Sequence, residues 1–463
     1  MKLTIWGAAR QVTGSMHMLE LENGYKILVD CGLAYENGKE GPSEYFPFQC
    51  ADIDLVILTH AHVDHSGNLP TLVKHGYTGQ IICSPATAQL TAILLNDTAN
   101  ILMSKSAPKN KKGRRREYSR PPIYLHKHVM DAMDRMLDWP TDKVFEVNEN
   151  LSFTFQITGH LLGACAVIFT INENGEEKKI AFSGDIGRKN YPTLQDPAPL
   201  PDVDYLVSES TYGGRYHSKE KTIEQVLIDV IKETCIDSPG RLIIPAFSIG
   251  RTQALIFLLT KLQKEGKIGD IPVYIDSPMA LQATSVYRRF SRELSEPASH
   301  LFNKEDDIFD LPHLHFIENM NESKTLSKYS EPAILVSSAG MLEGGRIQDH
   351  LYHNIQNYYC TLLFVGYCAK GTLGRKLLDG AKIIRINDRD LSVFASIRRT
   401  DQLSGHADHD DLINYISVLN KEKLKAIFLV HGEPDAMRDL KAGLLESGFE
   451  TVYMPLTGET FDL

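Results

Sequence analysis

The sequence predicts an α/β protein with more than one domain, and three observations lead to this prediction. The first half of the chain contains short apolar, β-branched runs bounded by Gly, Asn or Asp, which is typical of β-strands. From about residue 203, similar runs alternate with helical windows, which indicates parallel βαβ units. The length of 463 residues exceeds that of one average domain and suits two or three.

The strands predicted in the first half are residues 2–7, 17–21, 25–30, 54–60, 80–84, 151–160, 166–171 and 179–185. Two helices are predicted between them, over 85–103 and 126–139. Pro85 suits a position near the start of the first helix, because the backbone N–H that proline lacks has no partner there.

The middle of the chain is predicted to form its own α/β domain. Its predicted strands are 203–210, 241–247, 272–276, 332–338, 361–367 and 382–388. Its predicted helices are 220–234 and 250–265. The residues from 410 onward add one more αβ unit, a second helix and a terminal strand.

The composition excludes several classes of protein. Hydrophobic residues make up 43% and charged residues 23% of the chain, which is ordinary for a globular protein. A net charge of −10 excludes a protein that coats polyanions through a broad basic surface. No stretch of 18 apolar residues and no signal peptide occurs, so we expect no membrane span. Seven scattered cysteines without a Cys-x-x-Cys motif predict a cytoplasmic protein with reduced thiols.

One basic segment stands out from this acidic background. Residues 104–120 contain eight Lys or Arg and a single Glu. Such a run forms either a solvated loop or an arm that contacts phosphates, and the sequence leaves both interpretations open.

The strongest motif follows an apolar strand that ends near residue 60. His60, His62, Asp64 and His65 form a His-x-His-x-Asp-His pattern. Imidazole nitrogens and carboxylate oxygens are ligands that zinc and similar divalent ions accept. Four buried polar side chains without partners would be costly, so the motif predicts a metal site.

Three further residues share this context. His160, Asp185 and His431 each follow an apolar strand and have a glycine as neighbour. A single histidine in such a place is more often structural, but strand ends at one edge of a sheet sandwich converge. We therefore expect these residues to join the first cluster.

The order of Asp30, the histidine-rich motif, His160 and Asp185 resembles the metallo-β-lactamase superfamily. The resemblance implies an αβ/βα sandwich with two metals at one edge of its sheets. It implies that the first metal is bound by His60, His62 and His160. It implies that the second metal is bound by Asp64, His65 and His431. Asp185 matches the bridging carboxylate, and Asp30 matches a residue that supports the ligands. The ions implied are zinc, with manganese as the alternative.

The block between Asp185 and His431 resembles the inserted domain of the β-CASP nucleases. The resemblance implies a sandwich domain over 1–209 and 396–463 and a β-CASP domain over 210–395. Glu209 and His406 match two further motifs of that group. They imply catalytic roles beside Asp64 and Asp185, with His406 as general acid. His431 occupies a position where RNA-directed members carry His and DNA-directed members carry Val.

Two glycine-rich stretches in the middle block, 337–346 and 366–375, are predicted to contact phosphates. Each follows an apolar strand and ends in Arg, and successive backbone N–H groups in such turns can bind anions. The residues expected to take part are Ser337, Ser338, Gly340, Arg346, Thr372, Gly374 and Arg375. The alternative is ordinary turn chemistry. A weaker third candidate is the turn at Ser248 and Arg251.

These expectations favour a ribonuclease in which hydroxide bound by two metals attacks the RNA phosphodiester bond. We expect single-stranded RNA as the partner and a homodimer as one option for the assembly. The alternatives are a small-molecule ester or phosphodiester hydrolase, a DNA nuclease, and an RNA-binding scaffold without metals.

Overall fold

The computed structural model describes residues 1–36, 39–40, 45–106, 121–218, 220–302 and 307–463. These residues form two compact units. The first contains Met1–Lys189, Asp196–Tyr216 and His406–Leu463, and the second contains Asn190–Gln195 and His217–Gly405. The boundaries at 209/210 and 395/396 stay a prediction. Residues 107–120, which hold most of the basic segment, lie outside the described residues.

The first unit contains two seven-stranded sheets and a small hairpin. Its strands are β1 (Lys2–Ile5), β2 (His17–Glu20), β3 (Lys26–Val29), β4 (Tyr35–Glu36), β5 (Lys39–Glu40), β6 (Leu55–Ile57), β7 (Gln80–Cys83), β8 (Met136–Asp138), β9 (Val144–Asn148), β10 (Leu151–Ile157), β11 (Cys165–Glu173), β12 (Glu176–Phe182), β13 (Tyr205–Glu209), β22 (Ala426–Val430), β23 (Val452–Tyr453) and β24 (Glu459–Asp462). Its helices are α1 (Val63–Ser66), α2 (Leu69–Lys74), α3 (Pro85–Ser106), α4 (His126–Met133), α12 (His409–Ile416) and α13 (Pro434–Glu446).

The strand order is β24-β1-β2-β3-β6-β7-β8 in one sheet and β23-β22-β13-β12-β11-β10-β9 in the other. Alternate side chains of both sheets point into a shared core, where Phe169 contacts both Phe153 and Phe182 edge to face. Helices α12 and α13 cover the outer face of the second sheet with leucines such as Leu412 and Leu440. The unit is the predicted αβ/βα sandwich.

The second unit has one six-stranded sheet with the order β16-β15-β17-β14-β18-β21, and every pairing in it is parallel. Its strands are β14 (Arg241–Pro245), β15 (Val273–Asp276), β16 (Leu314–Phe316), β17 (Ala333–Ser337), β18 (Cys360–Phe364), β19 (Ile383–Ile386), β20 (Arg389–Ser392) and β21 (Ser396–Arg399). Its helices are α5 (Ile223–Ile231), α6 (Arg251–Lys264), α7 (Pro278–Arg289), α8 (Glu296–Phe302), α9 (Met320–Leu326), α10 (Ile347–Asn354) and α11 (Leu373–Leu378). The predicted parallel α/β domain is confirmed.

Three predicted elements differ from the structure. The strand predicted at 203–210 as part of the middle domain forms β13, which pairs with β12 and β22 in the second sheet of the first unit. The helix predicted over 126–139 ends at Met133, and Met136–Asp138 forms β8, which pairs in parallel with β7. The run at 382–388 lies outside the parallel sheet and forms an antiparallel hairpin with β20. Asn387 and Asp388 both have positive φ, as a two-residue hairpin turn requires.

Among the described residues, no helix combines the length and the apolar composition needed to cross a membrane.

Candidate metal centre

The histidine-rich motif lies in the turn between β6 and α1. Because β6 ends at Ile57, His60 and His62 lie in extended chain beyond the sheet, and Asp64 and His65 lie on the single turn of α1. These four candidate ligands, which lie within six residues of sequence, are therefore brought close together.

One group of possible ligands consists of His60, His62, His160 and Asp185, whose nearest ligand atoms all lie within 4.8 Å of one another. His160 Nε2 lies 3.0 Å from His62 Nδ1. Asp185 Oδ2 lies 3.4 Å from His160 Nε2 and 3.6 Å from His60 Nε2. This arrangement is that of three imidazoles and a carboxylate converging on one point.

A second group consists of Asp64, His65 and His431 at the same spacing. His431 Nε2 lies 3.4 Å from Asp64 Oδ2. The other oxygen of Asp185, Oδ1, lies 3.3 Å from His65 Nε2 and 3.5 Å from His431 Nδ1. Asp185 thus turns one carboxylate oxygen toward each group, and all seven residues predicted as metal ligands come together.

The residues of both groups fit divalent cations. His60 and Asp185 are almost fully buried, yet His60 Nε2 and Asp185 Oδ1 make no hydrogen bond within the described residues. Buried polar atoms are rarely left so, because each lost hydrogen bond costs free energy. Nitrogen and carboxylate donors of this kind satisfy zinc, and a cation among them would also neutralise the two acidic side chains.

The protonation of His60 and His62 also suits metal binding. Burial, reinforced by the charge of His65, lowers the pKa of His60 well below its usual value. Burial also lowers the pKa of His62, although Asp64 and Asp185 oppose it. Neutral imidazole is the form that binds a metal. Burial works in the same direction on His65, but Asp185 and Asp30 outweigh it and raise the pKa of His65 well above the usual value.

Asp30 supports the second group through its contact with His65. It lies just after β3 with φ of 61°, and its carboxylate accepts hydrogen bonds from Thr59 N at 2.8 Å and Thr59 Oγ1 at 2.9 Å. His65 Nδ1 lies 2.7 Å from Asp30 Oδ2. A carboxylate in this position fixes the ring orientation and leaves Nε2 for the metal.

A glycine allows α1 to approach β3 closely enough for this contact. A Cβ atom on Gly32 would lie 1.7 Å from the carbonyl oxygen of Asp64, so no other residue fits without movement of the backbone. On either side, Cys31 N donates to His65 O and Leu33 N donates to Val63 O. These bonds hold α1 and its two ligands in register with β3.

Glu209 and His406 form a pair beside the metal ligands. His406 Nδ1 lies 3.2 Å from Glu209 Oε2 and 3.9 Å from Asp185 Oδ2. The Glu209 side chain is fully buried, whereas 22% of the His406 side chain is exposed. Burial opposes charge on His406, but Glu209, Asp185 and Asp64 outweigh it and raise the pKa of His406 to about 9.

Two supporting residues had no signal in the sequence. Thr59 positions Asp30, and Thr211 Oγ1 lies 2.9 Å from His431 Nδ1. Both contacts join residues that are far apart in sequence, so no short sequence spacing predicts them.

The residues predicted to bind phosphate lie in the second unit, and several are engaged by the protein. Arg346 Nη1 donates to Asp276 Oδ1 at 2.7 Å and to Ile317 O at 2.8 Å, and Nη2 donates to Glu318 O at 2.6 Å. Ser337 Oγ donates to the backbone oxygen of Asp276 at 3.2 Å. These contacts hold the ends of β15 and β17 together.

The two glycine-rich loops contact each other. Gly374 N donates to Met341 O at 3.1 Å, and Leu373 N donates to the Glu343 carboxylate at 2.6 Å. Thr372 caps α11 by accepting from Arg375 N.

The other residues predicted in these loops have partners or close neighbours of their own. Arg375 Nε pairs with Asp379, and the backbone oxygen of Ser338 accepts from Ile347 N. A Cβ on Gly340 would lie 3.3 Å from Phe247 N. Phosphate binding by these loops stays a prediction.

The weaker third turn is also tied to its neighbours. Ser248 Oγ lies 2.8 Å from Ser277 Oγ, and Arg251 Nε donates to Leu403 O. Its phosphate role likewise stays a prediction.

Models of three protein families match the chain. The metallo-beta-lactamase superfamily model matches residues 10–215, the Beta-Casp domain model 252–377, and the model of a Zn-dependent metallo-hydrolase RNA specificity domain 390–455. The chain is 30% identical over 439 residues to "Ribonuclease TTHA0252" of Thermus thermophilus, covering 94% of each chain. The chain belongs to the β-CASP group of the metallo-β-lactamase superfamily.

Two further relatives of this β-CASP protein come from archaea. The "RNase J-like protein" of Methanocaldococcus jannaschii is 30% identical, over 93% of this chain and 92% of the relative. The "Transcription termination factor FttA" of Methanothermobacter thermautotrophicus is 29% identical, over 99% of this chain and 71% of the relative. The family confirms the predicted fold and the assignment as a metal-dependent hydrolase of a ribonuclease family.

Proposed function

We propose that this β-CASP hydrolase cleaves single-stranded RNA with two divalent metal ions and leaves a 5′-phosphate and a 3′-hydroxyl. The observation that carries the proposal is the position of Asp185 between two groups of ligand side chains. A carboxylate so placed would be shared by cations that the two groups would hold.

In this proposal His60, His62 and His160 hold the first ion. Asp64, His65 and His431 hold the second. The ion we propose is zinc, because five of these ligands are imidazoles. When bound, the two ions lower the pKa of a water molecule and polarise the scissile phosphate.

His406 donates a proton to the leaving 3′-oxygen. Glu209 holds His406 Nδ1, so Nε2 is the nitrogen that reaches the substrate, and the raised pKa keeps the ring protonated at neutral pH. His406 suits this role because part of its side chain is exposed while Glu209 is not. Glu209 acts through the orientation and charge of the imidazole.

RNA is the proposed substrate for two reasons. The matched model of an RNA specificity domain contains His406 and His431. The names of two relatives, a ribonuclease and an RNase J-like protein, describe action on RNA. The seven cysteines are free thiols, which supports a cytoplasmic location. A homodimer stays a prediction.

The test compares one oligonucleotide sequence as single-stranded RNA and as DNA, each incubated with the zinc-loaded protein. We expect cleavage of RNA with 5′-phosphate ends and little cleavage of DNA. Asp64→Ala should abolish cleavage, whereas Asp52→Ala, at an exposed carboxylate paired with Lys26, should not. Equal cleavage of DNA would favour the DNA nuclease alternative, and cleavage of neither would favour a small-molecule hydrolase.

A further inference from the structure

The ring of Tyr212 lies beside the imidazole of His406, and no step of the proposed cleavage uses it. The two ring centres are 5.7 Å apart with an angle of 45° between the planes, which is within the range of ring pairs in contact. Tyr212 is 7% exposed, so this contact is made inside the protein. Tyr212 also lies three positions after Glu209, which holds Nδ1 of the same imidazole.

The hydrogen bond to Glu209 does not by itself fix the plane of the His406 ring. It holds one atom, Nδ1, at 3.2 Å from Oε2, and the imidazole is still free to turn about that bond. Three rings lie around the imidazole, with centres at 4.5 Å for His160, 5.7 Å for Tyr212 and 6.1 Å for His431. His160 and His431 are candidate metal ligands. Tyr212 is therefore a neighbour that limits the tilt of the ring without binding an ion.

The segment that carries Tyr212 is held against α12 and α13. Arg215 N donates to Tyr212 O at 2.9 Å, which closes a turn, and His409 N at the start of α12 donates to Arg215 O at 2.8 Å. A Cβ atom on Gly213 would lie 2.3 Å from Ala436 O on α13, so the segment touches this helix directly. A ring on such a segment has its position before a substrate binds.

The Tyr212 ring has a contact of its own with Arg215. The guanidinium carbon lies 5.2 Å from the ring centre, a distance typical of a cation–π contact. Arg215 is exposed, whereas Tyr212 is buried. The ring is thus held by a side chain as well as by its own backbone.

We propose that Tyr212 is a positioning residue for proton donation by His406. As the P–O3′ bond breaks, its electron pair stays on O3′, which takes the proton from His406 Nε2. This transfer requires Nε2 to lie within hydrogen-bond reach of the leaving oxygen. Glu209 fixes the Nδ1 end of the imidazole, and Tyr212 fixes the tilt of its plane. The inference rests on the function proposed above, because it needs His406 to be the proton donor.

The test compares two RNA oligonucleotides that differ at one linkage, which has a bridging 3′-oxygen in one and a bridging 3′-sulfur in the other. A thiol is far more acidic than an alcohol, so the sulfur keeps the electron pair of the broken P–S bond and leaves without a proton donor. Cleavage at that linkage by the zinc-loaded protein is measured in a single turnover, so that product release does not hide the chemical step.

Tyr212→Leu removes the ring and should slow cleavage of the oxygen linkage at least tenfold, because a small misplacement of a reacting group is costly. The same variant should cleave the sulfur linkage within about threefold of the wild-type rate and should keep two zinc ions per chain. Tyr212→Phe keeps the ring and should cleave both linkages within about threefold of the wild-type rate.

Tyr216→Leu is the matched control. Tyr216 lies on the same segment, but its ring contacts His409, with the ring centres 5.2 Å apart. This variant should cleave both linkages as the wild type does. A distorted site slows both linkages, so damage to the fold is not mistaken for lost proton donation. Equal slowing of both linkages in Tyr212→Leu, loss of its zinc, or a Tyr212→Phe variant as slow as Tyr212→Leu would overturn the inference.

His406→Ala separates this inference from the function on which it rests. If His406 donates the proton, this variant is slowed on the oxygen linkage alone. Equal slowing of both linkages in His406→Ala, or no cleavage of either linkage by the wild type, would overturn the proposed function and the inference with it. If His406→Ala is slowed on the oxygen linkage alone while Tyr212→Leu is slowed equally on both, only the role of Tyr212 is overturned.

Discussion

Two residues at the edge of the metal centre decide the protonation of the site. Glu209 is buried, and its carboxylate lies 3.2 Å from Nδ1 of His406. The carboxylate stabilises the charged imidazole against its own burial. Asp185, Glu209 and His406 also form a third set of possible ligand atoms, and the function proposed above gives His406 the role of proton donor rather than ligand.

Glu209→Gln is predicted to shift the pH dependence of kcat. If His406 is the proton donor proposed above, kcat falls as pH rises through its pKa, which is about 9 without cations and lower when cations are bound nearby. Removing the charge of Glu209 should move this alkaline limb to lower pH by about one unit or more. The measurement is kcat for RNA cleavage from pH 6 to 10.

The matched control for this prediction is Glu233→Gln. Glu233 is exposed and pairs with Arg398 in the second unit, so its loss should leave the alkaline limb in place. An alkaline limb that does not move in Glu209→Gln would contradict the role given to the pair.

At the same scale, the sequence predicted ligands better than it predicted their supports. His60, His62, Asp64 and His65 could be predicted because metal chemistry imposes a short, fixed spacing. Thr59 and Thr211 could not, because a hydroxyl that bonds a carboxylate or imidazole needs no particular spacing along the chain.

At the scale of elements, the strand ends position the chemistry. β6, β12 and β22 each end shortly before a candidate ligand, β13 ends at Glu209, and β3 ends just before Asp30. Runs of apolar residues followed by Gly and a polar residue therefore predicted both the strands and the site. The same logic was less informative in the second unit, where turns after parallel strands serve packing as readily as binding.

Arg346→Ala tests which of these two roles its loop has. The guanidinium is 13% exposed and pairs with the fully buried Asp276, so its loss leaves a buried carboxylate with fewer partners. We expect a decrease of about 3 kcal/mol in the free energy of unfolding. Urea denaturation measures this change.

Arg375→Ala is the control, since Arg375 and Asp379 are both well exposed and their pair contributes little. Its effect should stay within about 0.5 kcal/mol. A stable Arg346→Ala variant with weakened RNA binding would instead establish the phosphate role predicted from the sequence.

Element boundaries were less predictable than element types. Residues 136–138 continue an apolar, helix-compatible pattern, yet they extend the edge of the first sheet beside β7. Tertiary pairing decides this, and the local pattern contains no sign of it. The hairpin of β19 and β20 was missed because its turn, Asn387–Asp388, lacks the glycine that usually signals such turns.

At the scale of the whole molecule, the middle block separates in sequence residues that come together in one site of the first unit. Asp185 and His431 are 246 positions apart in sequence but 3.5 Å apart between ligand atoms. That His431 joins this site could be predicted from the sequence, because His431 again follows an apolar strand. The change of strand pattern near residue 203 does not mark the division into units, because the strand at Tyr205–Glu209 pairs with β12 and β22 of the first unit.

The basic segment 104–120 gives a prediction for the whole protein. If its Lys and Arg side chains contact phosphates, replacing them with Ser should weaken RNA binding and flatten the dependence of affinity on salt concentration. Filter binding of single-stranded RNA at several salt concentrations measures the slope. A slope equal to that of the wild type would mean that the segment is only solvated.

The number of metal ions per chain tests the central claim most directly. Elemental analysis of the zinc-loaded protein should give two ions per chain for the wild type and for His406→Ala, and one or none for Asp64→Ala. One ion in the wild type would contradict the bridging role of Asp185. Two ions in Asp64→Ala, or a loss of metal in His406→Ala, would contradict the division between ligands and proton donor.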